Sequence, residues 1–161
     1  MKAYVGLGSN LGDRLENLKR AVAEMRACGL DVLAASSVYE TDPVGPPQPD
    51  FLNAAVEIDC DLPAGGIVPL LKNVEAKIGR GKAERWGPRE IDLDLLLLGD
   101  QTVSEPGVTV PHPELTNRPF ALVPVLELDP DLELPSGEPL EAFCESDPPG
   151  VKLFSDPAGI L

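Results

Sequence analysis

The order in which hydrophobic periods follow one another constrains this chain more than any other feature. Residues 3–7 (Ala-Tyr-Val-Gly-Leu) have strand character, and a turn at 8–13 leads into a helix over about 13–27. There Leu15, Leu18, Ala21, Val22 and Met25 recur at helical spacing. Residues 30–40 and 51–60 read as strands, the second carrying Phe51, Leu52, Ala54, Val56, Ile58 and Cys60. A second helix is expected over 63–78, with Pro63 tolerated in its first turn and Ile67, Leu70, Leu71, Val74 and Ile78 on its apolar face. Residues 90–98 read as a fourth strand. The order β-α-β-β-α-β predicts an α+β fold of the ferredoxin-like kind, an antiparallel sheet with helices packed on one face.

Two stretches fall outside this pattern. Residues 41–50 hold four prolines and one glycine, so they form no regular element, and a stiff loop of that kind can shape a pocket wall. Beyond residue 99 prolines recur every few positions, with a short helix expected near 119–127. No repeat or internal linker interrupts the chain. Residues 1–161 are therefore read as a single domain whose tail after about 145 is loosely held.

Charge narrows the function. A net charge of −14 argues against a general nucleic-acid surface, which needs clustered Lys and Arg, and against an anionic membrane. The deficit is uneven. Residues 72–89 hold Lys72, Lys77, Arg80, Lys82, Arg85 and Arg89 against only Glu75 and Glu84, so a small anion can be drawn there. Cys28, Cys60 and Cys144 are odd in number and widely spaced, which argues against a disulfide framework or zinc site and for reduced thiols in a cytoplasm. The first eight residues carry no signal-peptide core, and Leu95–Leu98 is far too short to span a membrane. No heptad appears, and a monomer is expected.

The candidate chemistry lies in 80–94. Asp92 and Asp94, two apart in a strand, share one face, while Leu93 and Leu95 take the other. Paired carboxylates repel unless a counter-charge is supplied, and Mg²⁺ favours a few carboxylates together with substrate phosphates. An isolated Asp-x-Asp more often marks a solvated strand face. The cations Arg80, Lys82, Arg85 and Arg89 immediately upstream favour a metal-bound polyphosphate instead. Trp86, the sole tryptophan, sits among them, where it either braces guanidinium groups or lines a nucleotide pocket. His112 and Arg118 form a weaker phosphate-contact pair with Phe120 nearby, and His112 alone reads equally as structural. Phe51 and Asn53 share a strand face and suit a flat heterocycle, although Phe51 fits a core position too. Gly8-Ser9-Asn10 matches no phosphate-binding loop and reads as a tight turn with Asn10 or a neighbour capping the helix.

Taken together, G-S-N at 8–10, T-D-P-V-G-P at 41–46, F-L-N-A-A at 51–55, G-R at 79–80, R-W-G-P-R-E-I-D-L-D-L-L-L at 85–97, V-P-H-P at 110–113 and R-P-F at 118–120 resemble the 6-hydroxymethyl-7,8-dihydropterin pyrophosphokinases of folate biosynthesis. The resemblance runs from Tyr4 to about Pro139. It implies that ATP donates its terminal pyrophosphate to the pterin hydroxymethyl oxygen, leaving AMP, with two Mg²⁺ ions at Asp92 and Asp94. It implies catalytic roles for Arg80, Arg89 and Asp94. It places Glu75, Arg80, Lys82, Trp86, Arg89, Leu95, Thr109, His112 and Arg118 around ATP. The pterin falls to Thr41, Pro43, Val44, Phe51, Asn53, Asp92 and Phe120. The chain departs from many relatives at Lys82 (often Arg), Phe51 (often Tyr) and Lys72 (often Gln), and Gly107 and Pro113 lack side chains that some relatives use on ATP. Two rivals remain at this level: another phosphotransferase or phosphohydrolase built on the same Asp pair, and a ferredoxin-like binding module without catalysis.

Overall fold

The computed structural model describes residues 1–79 and 89–161. The chain runs β1 (Lys2–Ser9), α1 (Arg14–Ala27), β2 (Asp31–Ala35), β3 (Val38–Thr41), β4 (Phe51–Asp59), α2 (Ala64–Ile78), β5 (Asp92–Leu98), β6 (Val103–Glu105), β7 (Val108–Val110), α3 (Pro119–Leu128) and β8 (Val151–Ser155). Asp13 caps α1, its carboxylate accepting from the Glu16 amide at 3.2 Å, so the capping expected near Asn10 falls to the neighbour.

The main sheet is antiparallel throughout, in the order β5-β1-β4-β3-β8, with β2 also beside β4. The second predicted strand is therefore two. At the break the Ser36 amide donates to Ala55 O at 2.9 Å, while the Ser36 hydroxyl accepts from the Ala55 amide at 2.9 Å. A side-chain oxygen thus stands in for a main-chain carbonyl, and β4 stays paired across the interruption.

Side-chain parity splits the sheet into two faces. Ala3, Val5, Leu7, Leu52, Ala54, Val56, Ile58, Leu93 and Leu95 face α1 and α2, which bury Leu18, Val22 and Met25 and Ile67, Leu71 and Val74 against them. The two helices of the β-α-β-β-α-β pattern thus share one face, as expected. Helix α3 lies on the opposite face, burying Ala121, Leu122 and Val125 with Tyr4, Ala55, Leu96 and Leu97. Its sequence, PFALVPVLEL, is apolar nearly all round and has to be covered. The run Leu95–Leu98 serves both faces because a bulge opposite Tyr4 and Val5 shifts the register of β5.

Two further differences lie beyond residue 98. Pro106-Gly107, with Gly107 at φ +76, turns β6 into β7. The tail is also more ordered than expected. Val151–Ser155 adds an edge strand along β3, the Asp42 amide donates to Gly150 O at 3.0 Å, and Ile160 enters the α1/α2 core at 1% exposure. Main-chain pairing and one buried side chain hold it in place of a helix or a long apolar run. Ile160→Ala is expected to lower unfolding stability by about 2–4 kcal/mol in denaturant titration, the range for emptying a buried aliphatic site. A loss below about 0.5 kcal/mol would mean that the tail is only loosely docked.

Among the described residues no helix is long and apolar enough to cross a membrane. All three cysteines are free.

Candidate active site

The face opposite α1 and α2 is left open between α3 and the 41–50 loop, forming a cleft of about 340 Å³. Its floor is dictated by register. Gly6 lies across from Asp94 and Gly8 from Asp92, while on its other side Gly8 pairs with Asn53. Asp92, Gly8 and Asn53 therefore form a row across three adjacent strands, roughly 10 Å from end to end at ordinary strand spacing. Glycine is required in the middle: a Cβ on Gly8 would stand 2.8 Å from Asn53 Oδ1 and 3.5 Å from the Phe51 ring.

The acidic end is built from β5 and what surrounds it. Arg89 Nη1 lies 3.3 Å from Asp92 Oδ1. Glu75, on α2, reaches the β5 edge, where its Oε2 accepts from the Leu93 amide at 2.9 Å and its Oε1 lies 3.1 Å from Lys72 Nζ. His112 enters from the segment after β7. Its Nδ1 accepts from the Glu114 amide at 3.1 Å, which turns Nε2 toward Asp94 Oδ1 at 3.9 Å. Burial lowers the His112 pKa against the pull of Asp94, and the Arg118 charge adds to the lowering, which favours the neutral ring. Arg118 itself lies over the Phe120 ring at 5.6 Å.

The other end is polar–aromatic. Asn53 Nδ2 donates to the Thr41 hydroxyl at 2.6 Å, which leaves Asn53 Oδ1 over the glycine floor. Phe51, Val44 and Phe120 line the same space.

Most of the sequence-derived residues thus converge: Thr41, Val44, Phe51, Asn53, Glu75, Arg89, Asp92, Asp94, His112, Arg118 and Phe120 all border the cleft. Pro43 faces the adjoining hollow between Val44, Arg118 and Gly150. Two residues are not brought in. The Leu95 side chain, 5% exposed, sits in the α1/α2 core, as its parity with Leu93 dictates, and Thr109 is exposed on β7 away from the cleft lining. Arg80, Lys82 and Trp86 lie outside the described residues. Sequence reasoning missed Asp42 and Gln48 in the lining, although both belong to the proline-rich loop.

Burial raises the Asp92 carboxyl to about 6, with Asp94 and Glu75 pushing further up and Arg89 and Lys72 pulling back. Among the described residues no three His, Cys, Asp or Glu side chains converge as a metal-binding group. A two-carboxylate, oxygen-only donor set nonetheless fits Mg²⁺, which completes its shell with water and phosphate. Burial, more than any neighbouring charge, is what raises the Asp92 carboxyl, and among the described residues Arg89 and Lys72 offset it only in part. The folded chain holds this proton more tightly than the unfolded one, so the stabilisation is present below about pH 4 and lost as pH rises through about 6. In metal-free protein, Asp92→Asn should therefore add about 1–2 kcal/mol at pH 7.5, after discounting for a side chain 32% exposed, and almost nothing at pH 4. Denaturant titrations at both pH values with chelator present measure the difference.

Residues 4–130 match the family model described as 7,8-dihydro-6-hydroxymethylpterin-pyrophosphokinase (HPPK). The chain is 43% identical over 130 residues to a Synechocystis sp. protein named 2-amino-4-hydroxy-6-hydroxymethyldihydropteridine pyrophosphokinase, across 80% of this chain and 67% of that one. It is 38% identical over 160 residues to a Bacillus subtilis protein of the same name, across 98% and 93% of the two chains. Among solved structures, wild-type Plasmodium falciparum HPPK-DHPS with pterin and p-hydroxybenzoate superimposes at a TM-score of 0.69 and 13% identity, a likeness of fold. The match covers 88% of this chain and 42% of that longer one.

Proposed function

Because the chain belongs to the 7,8-dihydro-6-hydroxymethylpterin-pyrophosphokinase family, we propose that it transfers the terminal pyrophosphate of ATP to the hydroxymethyl group of 6-hydroxymethyl-7,8-dihydropterin, giving AMP and the pterin diphosphate. The observation that carries the reading at the level of residues is the division of one cleft, with carboxylates and Arg89 at one end and an aromatic–amide wall at the other.

The flat pterin lies on the Gly8 floor against Phe51 and Phe120. Asn53 Oδ1, its amide nitrogen already committed to Thr41, accepts from the N–H edge of the ring. Asp92 stands at the junction of the two ends and takes the hydroxymethyl side. Asp92 and Asp94 would hold Mg²⁺, two ions on this reading, and the metal would supply charge neutralisation to the phosphate oxygens when bound. Arg89, His112 and Arg118 surround that end as donors, with Arg89 offering a fork that matches phosphate geometry. Glu75 and Lys72 border the nucleotide side. Free cysteines suit a reducing compartment, and we place the chain in the cytoplasm as a monomer.

The deciding experiment incubates the protein with ATP, Mg²⁺ and the hydroxymethyl-dihydropterin and identifies the products. AMP with pterin diphosphate supports the reading. ADP, phosphate release without pterin, or no turnover in well-folded preparations would sink it.

A further inference from the structure

Asn10 sits between the two ends of the cleft and contributes to neither lining, yet it is 2% exposed and saturated with long-range partners. Its Oδ1 accepts from the Arg89 amide at 2.7 Å, and its own amide donates to Arg89 O at 3.0 Å. Both hydrogens of its Nδ2 go the other way, to Gln48 Oε1 at 2.8 Å and Pro49 O at 3.0 Å. One side chain therefore closes a bridge between the proline-rich loop and the residue that opens onto β5. A local cap or turn would have used neighbouring amides, and Asp13 already does that work.

We propose that Asn10 is a positioning residue, which fixes Arg89 and the 41–50 loop as one unit so that the phosphate-side cation and the pterin-side wall keep a constant separation. The inference rests on the pyrophosphokinase reading for what those two segments bind. Its physical basis is the steep dependence of transfer on placement, since a shift of about 1 Å can cost on the order of a hundredfold in rate. Asparagine suits the position because it supplies an acceptor and two donors in a rigid plane; Ala supplies none of these and Asp only acceptors.

The test compares the parent with Asn10→Ala well below the unfolding temperature. The expected result is a kcat about a hundredfold lower and a pterin Kd, by calorimetry, about tenfold weaker. A lower Tm with kcat and Kd both within about threefold of the parent would reduce Asn10 to a stabilising residue and overturn the proposal. Should Asn10→Ala fail to fold, Gln48→Ala carries the test. Exchange of the Arg89 amide hydrogen, reached only through Asn10, is then expected to accelerate about tenfold, and an unchanged rate would overturn the proposal. If the unaltered chain forms no pterin diphosphate, the reading of function fails, and the Arg89 exchange measurement still decides the role of Asn10.

Discussion

Asp94→Ala is expected to fold as the parent does and to lose turnover by about a thousandfold or more. The prediction separates fold from chemistry because nothing structural depends on this carboxylate. It is 45% exposed, its one ion-pair-range neighbour among the described residues is the His112 ring at 3.9 Å, and its backbone pairing with Gly6 is independent of the side chain. Removing it also relieves a charge that pushes Asp92 up, so stability should hold or rise slightly. The loss should appear in kcat and in calorimetric binding of a Mg²⁺–ATP analogue. Turnover within about tenfold of the parent would remove Asp94 from the metal site.

Arg89→Ala is expected to cost nearly as much, about 10²–10³-fold, the scale of removing one preorganised donor from developing charge. Its main-chain N–H and C=O are what Asn10 grips, so the truncation leaves that bridge intact. Arg89→Lys should recover only part of the loss, because an ammonium restores the charge without the two-pronged fork. The same substitution by Ala carries an electrostatic signature. Arg89 holds the Asp92 carboxyl down, so its removal should move that group above about 6 in the metal-free protein, read by carboxyl NMR titration. An unmoved Asp92 would place the guanidinium elsewhere in solution.

Much of this molecule was legible before any coordinates. Period alone located β1, β4, β5 and both helices of the α1/α2 face, because half-buried strands and amphipathic helices write their burial into the chain. Parity also put Asp92 and Asp94 on one face and Leu95 on the other, and the cleft respects it even where the family resemblance had drawn Leu95 toward the nucleotide. What escaped was structure held by single polar contacts. The break between β2 and β3 depends on one Ser36 hydroxyl, and the bridge at Asn10 spans 79 residues to Arg89. Short polar residues look alike at a turn, a cap or a long-range clamp, and only partners distinguish them. The hairpin at Pro106-Gly107 could have been found, since that dipeptide is a turn signal. The tail was harder: Val151–Ser155 is too short and too exposed to display a period.

The glycine floor bears on how such a cleft can be blocked and how a block can be evaded. A compound resting on Gly8 touches backbone whose polar groups are spent on β4 and β5, so its grip there is pure contact. Escape from such a compound by substitution at position 8 is costly, because a Cβ there would stand 2.8 Å from Asn53 Oδ1 and force that side chain to shift. At Gly6 a Cβ would already be in van der Waals contact with Leu96 at 3.4 Å, so anything larger presses on that side chain. Resistance is thereby pushed outward to the exposed Val44 and the rest of the rim, and an inhibitor that stays low over the floor leaves it the least to work with.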